Sequence, residues 1–98
     1  GAAEKALGVL RKFSPEVKVV IVEMSAVSML DMTALAAFDN ILRDYRTDGI
    51  GLILVGTAAR VRLKLRRAGI HREQRQLAYV NNLEQARQKS ERWLAGQD

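Results

Sequence analysis

Three short apolar runs, residues 17–22, 51–56 and 77–80, are separated by segments whose apolar residues recur at helical spacing. Strands joined through helices lie parallel in one sheet, because a helical crossover returns the chain to the same end of the sheet. The order is therefore αβαβαβα. It fits an α/β domain with a small, mainly parallel sheet covered by about four helices. At 98 residues the chain suits one domain, taken as residues 1–98.

The helical segments carry their own boundaries. Ala3, Ala6, Leu7 and Leu10 put a first amphipathic helix over residues 2–13, which Ser14-Pro15 ends. The run at 17–22 reads as a strand buried on both faces. A second helix is expected over 32–48, with Leu35, Phe38, Leu42 and Tyr45 as its apolar stripe. Asp31 is its natural N-cap, and Gly49 suits a left-handed C-terminal position with Ile50 folding back on Tyr45. The strand at 51–56 is again doubly buried. Segment 57–70 fits either period. Helix is preferred, because Thr57 can cap its start and Gly69-Ile70 repeats the preceding helix ending. Residues 71–76 are polar and basic and read as a loop before the strand at 77–80. Asn81 or Asn82 then caps a last helix to about Ala95, with Leu83, Ala86 and Leu94 inward and Trp93 partly exposed.

Composition narrows the chemistry. No cysteine is present, which excludes a disulfide, a thiolate metal site and a thiol nucleophile. The single histidine, His71, sits in the basic loop without a sequence-local carboxylate or nucleophile. No G-x-G-x-x-G opens a helix and no Walker loop occurs, so no cofactor is called for and no motif supports nucleotide binding. Clustered metal ligands are missing from the sequence, so no metal site is expected. Glu23 and Asp31 fall near the C-terminal end of the first strand, where open α/β sheets place their sites. A helix cap and a solvated strand-end carboxylate explain that pair most economically. A receiver domain needs an acidic pair after an earlier strand, and here the first segment is helical. No run approaches the about 20 apolar residues of a membrane span, and no signal-peptide pattern is visible.

The formal charge is +5. Much of it lies in Arg60, Arg62, Lys64, Arg66, Arg67, Arg72 and Arg75, opposed only by Glu73. Such a surface attracts anionic neighbours. No aromatic residue is interleaved to stack bases, so nucleic acid is less favoured than an acidic protein or anionic lipid.

Glu23-Met24-Ser25 followed by Leu30-Asp31-Met32-Thr33-Ala34-Leu35 resembles the signature of the STAS domain, shared by SulP-type anion transporters and anti-sigma factor antagonists. Leu54-Val55-Gly56, Ala68-Gly69-Ile70 and Asn82-Leu83-Glu84-Gln85-Ala86 fall in the family's order. The resemblance implies a regulatory, non-enzymatic contact module. In the antagonists a phospho-acceptor serine typically follows the aspartate. Here that residue is Met32, which leaves Thr33, Ser25 and Ser28 as the hydroxyls near the motif. The plainer reading of Thr33 is support for the cap. The missing serine points to the C-terminal domain of a SulP transporter, on the cytoplasmic side of a bacterial inner membrane.

The expected contact surface is the loop Met24, Ser25, Val27, Ser28, Met29, Asp31, Met32 and Thr33. The resemblance implies a transporter membrane domain in cis and a cytosolic, acidic protein partner, with acyl carrier protein a candidate. The family's N-terminal strands are not found ahead of the first helix. The chain is thus expected to be truncated there, leaving an edge beside residues 17–22 open to self-association.

Overall fold

The computed structural model describes residues 1–11 and 13–98. Its elements are α1 (Ala2–Arg11), β1 (Val19–Glu23), α2 (Met32–Asp48), β2 (Gly51–Val55), α3 (Ala59–Arg67), β3 (Leu77–Val80) and α4 (Leu83–Leu94). The sheet order is β1-β2-β3, and both pairings are parallel, with Val19 opposite Gly51 and Leu52 opposite Leu77. The expected α/β architecture is the observed one. Of the first helix as expected from sequence, Lys12 lies outside the described residues and Phe13 lies outside α1.

The sheet separates two cores. Val20, Val22, Leu52, Leu54 and Leu77 pack with α1, α2 and α3 around Leu10, Phe38 and Leu65. On the opposite face Ile53, Val55 and Ala78 meet Ala86 and Trp93 of α4. Every residue of β2 is buried, as a central parallel strand requires. β1 differs from expectation. Val20 and Val22 are buried, but Val19 and Ile21 are only partly covered, because β1 is an edge strand whose second face meets α4 alone. Among the described residues β1 lies at an edge of the sheet, as expected.

Six side chains, in α2, α4 and at the start of α3, depart from their expected placement. The α2 stripe is Ala34, Phe38, Ile41 and Tyr45, so Leu35 and Leu42 lie at its margin, partly buried. In α4 it is Trp93 that is buried, at 7% exposure, whereas Leu83 and Leu94 are 63% and 62% exposed. The indole lies against Gly51, which has no side chain to displace it. Thr57 does not cap α3. Ala58 holds the N-cap position without a side-chain bond, and the Thr57 hydroxyl is buried without a partner among the described residues.

The C-terminal ends of α2 and α3 behave as the sequence implies. Gly49 takes φ 70° and the Ile50 N–H donates to the Tyr45 carbonyl at 2.8 Å. Gly69 and Ile70 repeat this over Leu65 at 3.0 Å. The end of α1 is finished by a distant residue, since the Tyr45 hydroxyl donates to the Leu10 carbonyl at 2.6 Å. Carbonyls in a last helical turn lack an intrahelical donor, and Tyr45 supplies one from α2. Burial pushes the Tyr45 phenol up to about 12. Tyr45→Phe is expected to lower stability by about 1–2 kcal/mol, because the Leu10 carbonyl loses its donor. The stability gained by burying the neutral phenol is whole below pH 10.0 and is lost as pH rises towards about 12. Urea melts across that range should show a shallower alkaline decline in the variant.

Candidate functional site

The carboxyl ends of β1 and β2, the loop 24–31 and the start of α2 form one rim. Three apolar anchors hold the loop down: Met24, Val27 and Leu30 are 1%, 2% and 1% exposed. The Met24 N–H continues the sheet by donating to Val55 O at 2.8 Å, and the Val27 N–H returns to Met24 O at 3.0 Å. Met24 and Val27 are therefore core residues, which corrects their expected place on a contact surface. The spacing of three between successive anchors is the sequence signal for this loop.

The residues between the anchors face outward. Ser25, Ser28, Asp31 and Thr33 are exposed, with Met29 at 67% and Met32 at 73%. Asp31 has extended backbone, and its Oδ1 accepts from the Ala34 N–H at 2.8 Å. It is the N-cap expected from sequence. Asp31→Ala is expected to cost about 1 kcal/mol in a chemical-denaturation experiment. A curve superposable on the parent's would remove the cap from this account.

Glu23 is occupied locally. Its Oε1 accepts from the Ser25 N–H at 2.7 Å and also from the Ser25 hydroxyl. That hydroxyl first, and then the backbone N–H, hold the carboxyl below the usual range. Gly56 closes over this pair with φ 68°, and a Cβ there would fall 2.3 Å from Ser25 Oγ. Each rim carboxylate thus answers to a nearby donor, and no hydrogen bond joins Glu23 to Asp31 among the described residues. Those residues also hold no group of three or more His, Asp or Glu placed to share a metal ion. Of the three candidate hydroxyls, Ser25 is engaged by Glu23, whereas Ser28 and Thr33 stand exposed.

The basic residues lie elsewhere, and the fold divides them. Arg62 and Arg66 of α3, with Arg72 and His71 of the following loop, line a groove of about 860 Å³ beside β3. Arg75 instead takes φ 59° and donates to the Gly96 carbonyl at 2.6 Å, holding the C-terminal turn. Arg60 and Arg67 are exposed, and Lys64 is half-buried. No aromatic is interleaved in the basic segment itself, but the fold brings Tyr79 of β3 to it, with its ring 4.4 Å beneath the Arg62 guanidinium. Burial raises the Tyr79 phenol, and Arg62 and Arg72 oppose that rise. Because Arg62 covers the ring, Tyr79 offers no open stacking face there.

The site is thus a rim of a parallel α/β sheet with an acid-capped corner, held by buried anchors and presenting thioethers and hydroxyls. The chain belongs to the STAS domain family, whose model matches residues 3–88. Domains of this family are generally regulatory rather than catalytic. No curated protein and no solved structure matched the chain.

Proposed function

We propose that this STAS domain is the cytoplasmic regulatory module of a SulP-type anion transporter, docking a protein partner through the exposed rim from Ser25 to Thr33. The observation that carries this reading is Met32. It follows the cap Asp31, where an antagonist switch would bear its phospho-acceptor serine, and its side chain is 73% exposed. A thioether cannot accept phosphate, but with Met29 it supplies an adaptable apolar surface flanked by hydroxyls. The charge of +5 suits a place beside anionic lipid and the cytoplasmic ends of membrane spans. It also suits an acidic partner, for which acyl carrier protein is the candidate the family resemblance offers. No described helix is long and apolar enough to cross a membrane, so transport would belong to a membrane domain in cis.

Two measurements test the reading. The encoding reading frame should carry a series of long apolar spans upstream of Gly1. A photo-crosslinker at Met32, in cells, should trap a cytosolic protein that the same group at Lys5 does not. Phosphate found by mass spectrometry on Thr33, Ser25 or Ser28 after incubation with a cognate kinase would replace this reading with that of an antagonist switch.

A further inference from the structure

We infer that the groove beside β3 is a second docking site, separate from the rim, and that it takes an acidic polypeptide segment in extended form. The groove straddles the free edge of the sheet. Arg62 and Arg66 form one wall, Arg72 lies on the loop, and Lys89 and Trp93 of α4 form the other wall. None of these four cations forms an ion pair with a carboxylate among the described residues. The two acids at the groove are already turned to other groups. Glu73 pairs with Arg46 at 2.9 Å, and Asp98 accepts from Gln74 at 3.1 Å. Asp98 keeps its charge, since Gln74 is neutral, but four cations against it leave the groove with a surplus of positive charge that favours an incoming anion.

The floor selects the class of anion. Gln76 O accepts from Leu52 of β2 at 2.8 Å and Val80 O from Gly56, just past β2, at 2.9 Å, so the alternate residues Leu77 and Tyr79 turn their peptide groups outward. Leu77 is closed off, because it exchanges both bonds with Glu73 at 3.0 Å. The Asn81 N–H is closed off by Gln85 Oε1 at 2.7 Å. Between these two clips the Tyr79 N–H and C=O, by the alternation of the ladder, point away from β2. A donor and acceptor turned to the free edge and spaced as in a strand are complementary to another peptide unit. Nucleic acid finds no open stacking face, since Arg62 covers Tyr79 and Trp93 is buried. A bilayer surface is flat, whereas these cations face one another across a recess. The occupant is an Asp- or Glu-rich segment that pairs with the sheet at Tyr79 alone and sets carboxylates against Arg62, Arg66, Arg72 and Lys89.

The probe is the synthetic peptide acetyl-EVEVEVE-amide, titrated into the 98-residue domain. Trp93 is the sole tryptophan, and Lys89 lies 5.9 Å over its ring, so its fluorescence can report occupancy. Binding should weaken with salt. The variant R66E/R72E should bind at least about tenfold more weakly, while K5E/R11E, with the same change in net charge on α1, should bind as the parent does. Both pairs are exposed, and circular dichroism melts confirm folding. A peptide N-methylated at its central residues should lose affinity, because it cannot complete the pairing at Tyr79. No binding, equal loss in K5E/R11E, equal affinity of the N-methylated peptide, or tighter retention on phosphatidylglycerol vesicles or poly(U) than on the peptide would each overturn the assignment.

Discussion

Gly51→Ala is expected to lower stability by about 3 kcal/mol, towards the upper end for overpacking. A methyl group at this position would lie 2.7 Å from two carbons of the Trp93 ring and 2.8 Å from the Arg75 carbonyl oxygen. Neither neighbour can swing aside. The indole is 7% exposed in the core beneath α4. The Arg75 carbonyl belongs to a turn whose conformation is left-handed at that residue, with its ends fixed by the Glu73–Leu77 bonds. The strand must therefore shift, or α4 must lift. For a domain of 98 residues a loss of this size lowers the melting temperature on the order of 15 °C. Two routes of relief are separable. In a Trp93→Leu background the ring contacts vanish and only the carbonyl contact remains, so Gly51→Ala should cost less there than alone. A parent-like melting temperature for Gly51→Ala would show that the Trp93 slot is not tightly packed.

That slot also explains where reading from sequence stops. The strands are legible because β2 is an unbroken apolar run, and the ends of α2 and α3 because Gly-Ile pairs mark them. Asp31 is legible as a cap and the last helix's cap as one of Asn81 and Asn82, because each precedes a helical period; Asp31 and Asn82 each accept from the third residue on at 2.8 Å. The burial of Trp93 is not legible locally. It depends on an absent side chain at Gly51, a residue on another element. The phase of α2 fails for a related reason. Leu35 and Leu42 sit beside Ala34 and Ile41 in adjoining rows, and only the sheet beneath decides which row faces inward. Thr57 was one residue from the cap position, because Ala58 already has extended backbone at ψ 146°. At the rim, Met24 and Val27 carry the same residue types as a contact surface would. Their recurrence with Leu30 at spacing three is the clue to burial. The groove beside β3 is the least legible feature, since Arg62, Tyr79 and Lys89 meet only through tertiary packing.

Gly56→Ala is expected to cause a comparable loss in the region of the candidate rim, and its partner is identifiable in advance. Two costs combine. Residue 56 has φ 68°, where a Cβ adds about 1–2 kcal/mol. The new carbon would also meet Ser25 Oγ at 2.3 Å and Glu23 Oε1 at 3.3 Å, an overlap worth about a further 1–3 kcal/mol. The second cost belongs mainly to one oxygen atom. In Ser25→Ala that atom is gone, and the nearest Ser25 contact becomes its Cβ at 3.5 Å, an ordinary separation. Ser25→Ala alone should cost under about 1 kcal/mol, because the lost bond to Glu23 is exposed. The double variant S25A/G56A should therefore be more stable than Gly56→Ala, with a favourable coupling of about 1–2 kcal/mol. The backbone cost at residue 56 should persist in both. Costs that simply add in a four-way urea-denaturation cycle would mean that Ser25 can rotate clear of Gly56. The hydroxyl would then not be held between Glu23 and the β2 terminus, and the rim would lose the contact that fixes its acidic end.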